Sequence, residues 1–289
     1  MEKLVVFVYF PAEGVALLPF IHIFELPIDS YGLANVVAYG LAAWVAYSLA
    51  LQDGRDKRDA FDFILVAVIS ALFGAKIFHT LFEAEGHKLS DDSVATGVWD
   101  LLADDPLHWA DLFAPGYVFY GGVVVSSFAT MIFIYRREIT TPVAFADYAA
   151  PALAIGMGIG RVGCFMAGCC YGISTEVPWG VTYPAGDLAA LGTVHPVQLY
   201  DAAYGFVAFA LIVVLYQKRQ FSGQAFLALV GSYAFWRFGT EMLRADDDRG
   251  IWLVGISTSQ WVSILSLPLI VFLWRQWSKL YPRSEEQAS

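Results

Sequence analysis

Seven long apolar stretches, separated by charged turns and two longer polar segments, set the pattern of this chain. They lie at roughly 31–51, 60–82, 117–135, 145–170, 196–217, 223–243 and 256–274. Each approaches the length of about 20 apolar residues that a helix needs to cross a bilayer core. The fourth and sixth are the least apolar, because each contains an arginine, Arg161 and Arg237. Hydropathy alone admits any count from six to eight. The pattern predicts an all-α polytopic membrane protein with about seven transmembrane helices.

Basic residues orient the spans, since Lys and Arg concentrate in cytoplasmic turns. The turns after the first, third, fifth and seventh stretches hold Arg55, Lys57, Arg58, Arg136, Arg137, Lys218, Arg219, Arg275, Lys279 and Arg283. The opposite side has Lys3, Lys88, Arg244 and Arg249. This bias supports an odd number of spans, with the N-terminus outside and the C-terminus cytoplasmic. Residues 1–289 then read as one membrane domain. It comprises an outer-face N-terminal segment at 1–30, outer loops at 83–116 and 171–195, and a cytoplasmic tail at 275–289. Residues 1–28 are expected to form an interfacial helix rather than a cleavable leader, because Pro11 and Glu13 interrupt their apolar run and no small-residue cleavage site follows. Neither an internal repeat nor a pair of broken helices is evident.

Composition agrees with the pattern. The chain is 58% hydrophobic and only 15% charged, too little charge for a soluble domain of 289 residues. Aromatic residues reach 16%, as suits side chains at a lipid–water boundary. The net charge is −10, and the segment Glu83 to Asp111 carries eight acidic residues against one lysine, so it reads as a solvated loop. No basic stripe is available for nucleic acid, which is excluded as a partner.

Charges within spans are costly unless paired or facing a polar cavity, so each marks a functional candidate. At 1.5 Å per residue, Lys76 and Arg237 lie about 10 Å below the outer ends of their spans and Arg161 about 15 Å below. All three cations fall in the outer half of the bilayer. Tyr31, Tyr120 and His195 begin neighbouring spans at that depth, and Arg237, Glu241 and Arg244 share a helical face at i, i+4 and i+7. Convergent cations suggest an anion, and the anion available there is a phospholipid phosphate, which the planar arginine fork suits. Plainer readings stand beside these. Arg244 and Lys76 could snorkel, the tyrosines could be interface aromatics, His195 could simply precede a helix, and Arg237–Glu241 could be an intrahelical pair.

The fourth stretch is glycine-rich around Arg161. Gly156 and Gly160, and again Gly168 and Gly172, are four apart, as close helix packing favours. Glycines beside an arginine would also leave room for a headgroup. Cys164, Cys169 and Cys170 do not share a face of a straight helix and lack a C-x-x-C spacing, so no metal site is expected. A disulfide or small-residue packing is the plain reading, and no cofactor is implied.

The stretch Gly160 to Gly172, G-R-V-G-C-F-M-A-G-C-C-Y-G, resembles the signature of prolipoprotein diacylglyceryl transferases. So do P-W-G-V-T-Y-P at 178–184, H-P-V-Q-L-Y-D at 195–201, Tyr31-Gly32-Leu33, Gly74-Ala75-Lys76, Phe119 to Gly122, Ala146-Asp147, Arg237 through Arg244, and Ser259-Gln260. The resemblance covers about 250 residues. It implies transfer of a diacylglyceryl group from phosphatidylglycerol to the thiol of a lipobox cysteine in a preprolipoprotein, at the outer leaflet of the bacterial inner membrane. Glycerol phosphate is the leaving group. Carried over, Arg161 and Arg237 hold the phosphate, Glu241 orients Arg237, and Tyr120 stands in the catalytic set. Tyr31, Lys76, Gly121, Gly122, Gly163, Gly172, His195, Tyr233 and Arg244 line the substrate. The chain departs from the family at four positions: Tyr120 replaces a histidine, Cys164 an asparagine, Cys169 a glutamate, and Lys76 an arginine. These departures leave open a phospholipid-binding or lipoprotein-handling protein without catalysis. A transporter using Arg161, Arg237 and Glu241 as a polar path fits less well, because no comparable charges continue inward.

Overall fold

The computed structural model describes residues 6–7, 20–23, 26–82, 119–138, 141–183, 192–245, 251–252 and 256–283. For 6–7, 20–23, 26–28, 80–82, 119–120 and 251–252 the description is of the backbone alone. The outer loop expected at 83–116 therefore lies outside the described residues, as do parts of the other loop and of the tail.

Among the described residues there are seven helices of 18 to 26 residues: α1 Ser30–Gln52, α2 Lys57–Phe82, α3 Phe119–Arg137, α4 Pro142–Ala167, α5 Val197–Gln217, α6 Gln224–Glu241 and α7 Thr258–Leu280. Each coincides with one of the seven apolar stretches. Four of them, α1, α2, α4 and α5, are long and apolar enough to cross a membrane, and no more than a third of each apolar window is buried within the protein. The outward surface is strongly apolar: Val36, Trp44, Leu211, Phe235 and Leu265 are all at least 65% exposed. Surface of that kind suits lipid, not water.

The described residues within 1–28 depart from the expected interfacial helix. They lie in strands, β1 Val6–Phe7, β2 Phe20–Ile23 and β3 Leu26–Asp29, in one antiparallel sheet. Pro27 cannot donate the backbone hydrogen bond a helix interior requires, and β-branched Ile21, Ile23 and Ile28 suit a strand. Two further antiparallel ribbons, β4 Val181–Thr182 with β5 Thr193–Val194 and β6 Ile251–Trp252 with β7 Ile256–Ser257, lie in the connections.

The chain forms two compact units, residues 50–142 and residues 1–49 together with 143–289. The smaller unit is built on α2 and α3, which approach to backbone contact. A Cβ on Gly121 would lie 2.5 Å from the Gly74 carbonyl, and one on Gly122 would lie 2.9 Å from that of Ala71. Ser126 donates across to the Ala67 carbonyl at 3.1 Å, and Arg137 pairs with Asp62 at 3.6 Å.

The larger unit alternates its helices. Where α4 and α5 cross, a Cβ on Gly205 would lie 2.7 Å from the Gly158 backbone, so no larger residue fits without parting them. The small residues anticipated at Gly156 and Gly160 instead face α1 at 3.7–3.8 Å, in ordinary van der Waals contact. Gly168 and Gly172 are not a helical pair, since α4 ends at Ala167.

One end of this unit is fastened by Asp147, which is fully buried in the first turns of α4. Its carboxylate accepts from the backbone N–H groups of Gly223, Ala225 and Phe226 at 2.7, 2.9 and 3.2 Å, capping α6. Arg219 pairs with it at 3.4 Å, donates to the Tyr216 carbonyl at 2.6 Å and lies 3.8 Å over the Tyr216 ring. Tyr216 in turn donates to the Leu49 carbonyl of α1 at 3.1 Å. A carboxylate on a helix N-terminus gains from both the orphan donors and the macrodipole.

Candidate functional site

Arg161 stands four turns further along α4, about 21 Å from Asp147 by helical rise. Its Nε lies 3.3 Å from the Asp201 carboxylate in the second turn of α5. Asp201 is 4% exposed, and its other oxygen accepts from Trp236 Nε1 on α6 at 2.9 Å. Three helices therefore meet at one buried carboxylate. Arg161 keeps 22% of its side chain exposed. The carboxylate holds the guanidinium through Nε, with part of the side chain still exposed.

Arg237 follows Trp236 directly on α6. Its guanidinium pairs with Glu241 one turn on and donates to Ser259 of α7 at 3.3 Å. Glu241 accepts from the Ser257 hydroxyl at 2.9 Å. Ser257 also begins α7, accepting from the Gln260 backbone at 3.3 Å while the Gln260 side chain accepts from the Ser257 backbone at 3.1 Å. This reciprocal cap sets the entry of α7 against the end of α6 and fixes Glu241 with it. The expected Arg237–Glu241 pair is present, with a second hold on each partner that spacing did not reveal.

Arg244 is not on the face of α6 expected for it. The helix ends at Glu241, and tight turn bonds carry the chain from Gly239 to Arg244, where it bridges antiparallel to Gly172. The Arg244 guanidinium lies close enough to the Cys170 thiol to act on it electrostatically. Gly172 is explained by this approach. A Cβ there would lie 2.4 Å from the Leu243 carbonyl and 2.8 Å from His195 Cβ.

His195 is tied by backbone bonds to both Gly172 and Ile173, and its Nδ1 lies 3.1 Å from the Tyr200 hydroxyl. Tyr200 also accepts from Trp179 Nε1 at 2.7 Å. Tyr31 opens α1 and is 43% exposed, with Asp29 capping the helix through Gly32 N–H at 2.7 Å. Gly163 lets α1 in, because a Cβ there would lie 2.7 Å from that of Ala34. Tyr233 contacts Tyr204, whose ring stacks on Trp236 at 5.0 Å. All these residues belong to the larger unit and gather at the end opposite Asp147. Lys76, Gly121 and Gly122 belong to the smaller unit, where Lys76 is half-buried on α2 and the two glycines serve the close approach of α2 and α3. Tyr120 sits in the first turn of α3, where only its backbone is described.

The three cysteines correct the spacing argument. They are free thiols, and their sulfurs all lie within 4.8 Å of one another. Helical spacing does not apply because α4 stops at Ala167 and the chain doubles back through Gly168 at φ +75° and Cys170 at φ +60°. Gln198, wholly buried in α5, donates to the Cys169 carbonyl at 2.6 Å and to the Tyr183 hydroxyl at 3.0 Å. Burial pushes the Tyr183 phenol up, against the opposing hydrogen bond from Gln198.

Sequence reasoning missed Asp201, Trp236, Ser257 and Gln198 as parts of this site. A signal existed for the first. Asp201 is a carboxylate two turns into an apolar stretch, and an intramembrane anion calls for a cation such as Arg161.

Comparison with known proteins places the chain in a family. The family profile of prolipoprotein diacylglyceryl transferases matches residues 19–275. A phosphatidylglycerol–prolipoprotein diacylglyceryl transferase of Clostridium perfringens is 29% identical over 85% of this chain and 89% of its own length. One from Idiomarina loihiensis is 30% identical over 85% of this chain and 86% of its own, and one from Clostridium tetani 26% identical over 87% and 94%.

Proposed function

The chain belongs to the prolipoprotein diacylglyceryl transferase family, and from that premise we propose that it transfers a diacylglyceryl group from phosphatidylglycerol to the lipobox cysteine thiol of preprolipoproteins. We further propose seven spans, an outer N-terminus, a cytoplasmic C-terminus, and a site facing the outer leaflet of the bacterial inner membrane. The observation that carries the reading is the pair of carboxylate-held arginines, Arg161 on Asp201 and Arg237 on Glu241, at one end of a bundle with a lipid-suited surface.

The chemistry asks for that arrangement. A bond between the glycerol carbon and a phosphate oxygen breaks, and a carbon–sulfur bond forms. Negative charge grows on the departing phosphate, and fixed guanidinium groups stabilise it without reorganising. The fork of Arg161, held by Asp201 through Nε and partly exposed, is suited to phosphate oxygens. The thiol must lose its proton to attack. The released glycerol phosphate has gained an ionisable oxygen, with a second pKa near 6, so the proton balances on the product. The phosphate site works through guanidinium charge, whatever group accepts the proton first.

Expression in cells depleted of their own transferase tests the reading. Lipidated lipoprotein and restored growth are expected. Membrane-inserted protein that yields neither would favour a lipid-binding role without transfer.

A further inference from the structure

The sulfurs of Cys164, Cys169 and Cys170 form the one group of three metal-ligating side chains found close together among the described residues. We infer that they constitute a three-thiolate site for a soft d10 cation of the zinc or monovalent copper class. This goes beyond the transfer reaction and does not depend on it.

The loop that gathers the sulfurs is built from outside itself. Gly168 at φ +75° reverses the chain after α4. Cys170 occupies the same left-handed region at φ +60°, which a residue with a Cβ adopts only where its surroundings impose it. Those surroundings are visible. Cys169 N–H returns to the Cys164 carbonyl at 3.1 Å, and the buried Gln198 amide clamps the Cys169 carbonyl. Gly172 then locks against Leu243 and His195, two residues past the cluster.

Ligand chemistry narrows the occupant. Thiolate donors select soft ions over magnesium or calcium, which prefer oxygen. Three sulfurs suffice for monovalent copper, and zinc adds a fourth donor. Binding converts up to three thiols to thiolates and releases their protons, with no change of oxidation state. Cationic neighbours offset the charge created. Arg244 lies close enough to act electrostatically on Cys170, and Arg161 on Cys164 and Cys170. Cys169 is exposed and the other two are half-buried, so an ion has an entry path.

The test uses the full-length protein in detergent, reduced, stripped of metal, and titrated with Cd2+ as a spectroscopic stand-in for Zn2+. A thiolate-to-metal charge-transfer band saturating at one ion per chain is expected. One equivalent of Zn2+ should hide all three thiols from a thiol reagent. Cys169→Ser and Cys170→Ser should each weaken binding about tenfold or more. Size-exclusion profiles matched to the parent show that these variants remain folded. Three reactive thiols persisting with Zn2+ present would overturn the proposal, as would equal uptake by the serine variants. Isolation without reductant of a chain with two cysteines oxidised to a disulfide and no bound metal would overturn it in favour of a redox pair.

Discussion

Asp201 holds Arg161 at 3.3 Å while taking a second hydrogen bond from Trp236. The buried carboxylate is what aims the arginine, so Asp201→Ala should cost nearly as much as loss of the arginine's orientation. A fall of about 100-fold in kcat is expected, at the lower end of the range for a lost charge-stabilising group. Asp201→Asn should recover part of this, because an amide oxygen still accepts from Trp236. Steady-state kinetics on purified protein check both.

Glu241→Gln should act differently from Ser257→Ala. The first keeps an amide that can still accept from Ser257 but leaves the buried Arg237 without its counter-charge, so activity should fall strongly and stability should fall with it. The second removes a helix cap worth about 1 kcal/mol together with a contact to Glu241. It should lower the melting temperature in detergent and weaken activity only modestly.

At the opposite end of the same unit, Asp147→Ala should be a stability variant. It strips three backbone N–H groups and Arg219 of a buried carboxylate. A loss of about 3–5 kcal/mol is expected, as for other broken buried pairs. The measurement is a thermal unfolding curve, and transfer activity per folded molecule should stay near the parent value.

Gly205→Val tests the helix crossing. With 2.7 Å to the Gly158 backbone, the new side chain must part α4 from α5, the two helices that carry Arg161 and Asp201. Destabilisation of about 1–3 kcal/mol with a disproportionate fall in activity is expected.

Much of this was legible in the sequence, for physical reasons that differ by residue. The seven helices follow apolar runs, and four of them are long and apolar enough to cross a membrane, where lipid selects apolar side chains along the whole length. Arg161 and Arg237 announce themselves as charges where charge is costly, and Glu241 follows from the one-turn spacing. Asp201 was harder, since its tie to Arg161 spans forty positions and depends on the Gly158–Gly205 crossing. Arg244 leaves the expected face because α6 ends at Glu241, a boundary that apolarity alone does not mark. The cysteine cluster was hidden for a similar reason. Two left-handed residues, one of them not glycine, break the helical spacing that the reading assumed. The N-terminal strands lie in a segment whose hydrophobicity suits either an interfacial helix or a sheet.

In the proposed transfer, Arg161 stabilises the departing phosphate. Purified protein, phosphatidylglycerol and a lipobox peptide, followed by mass spectrometry for the thioether, test it most directly. Arg161→Ala should lower the rate by at least about a hundredfold, and Arg161→Lys should restore little, because an ammonium lacks the fork. An Arg161→Ala protein that forms thioether at the parent rate would contradict the account.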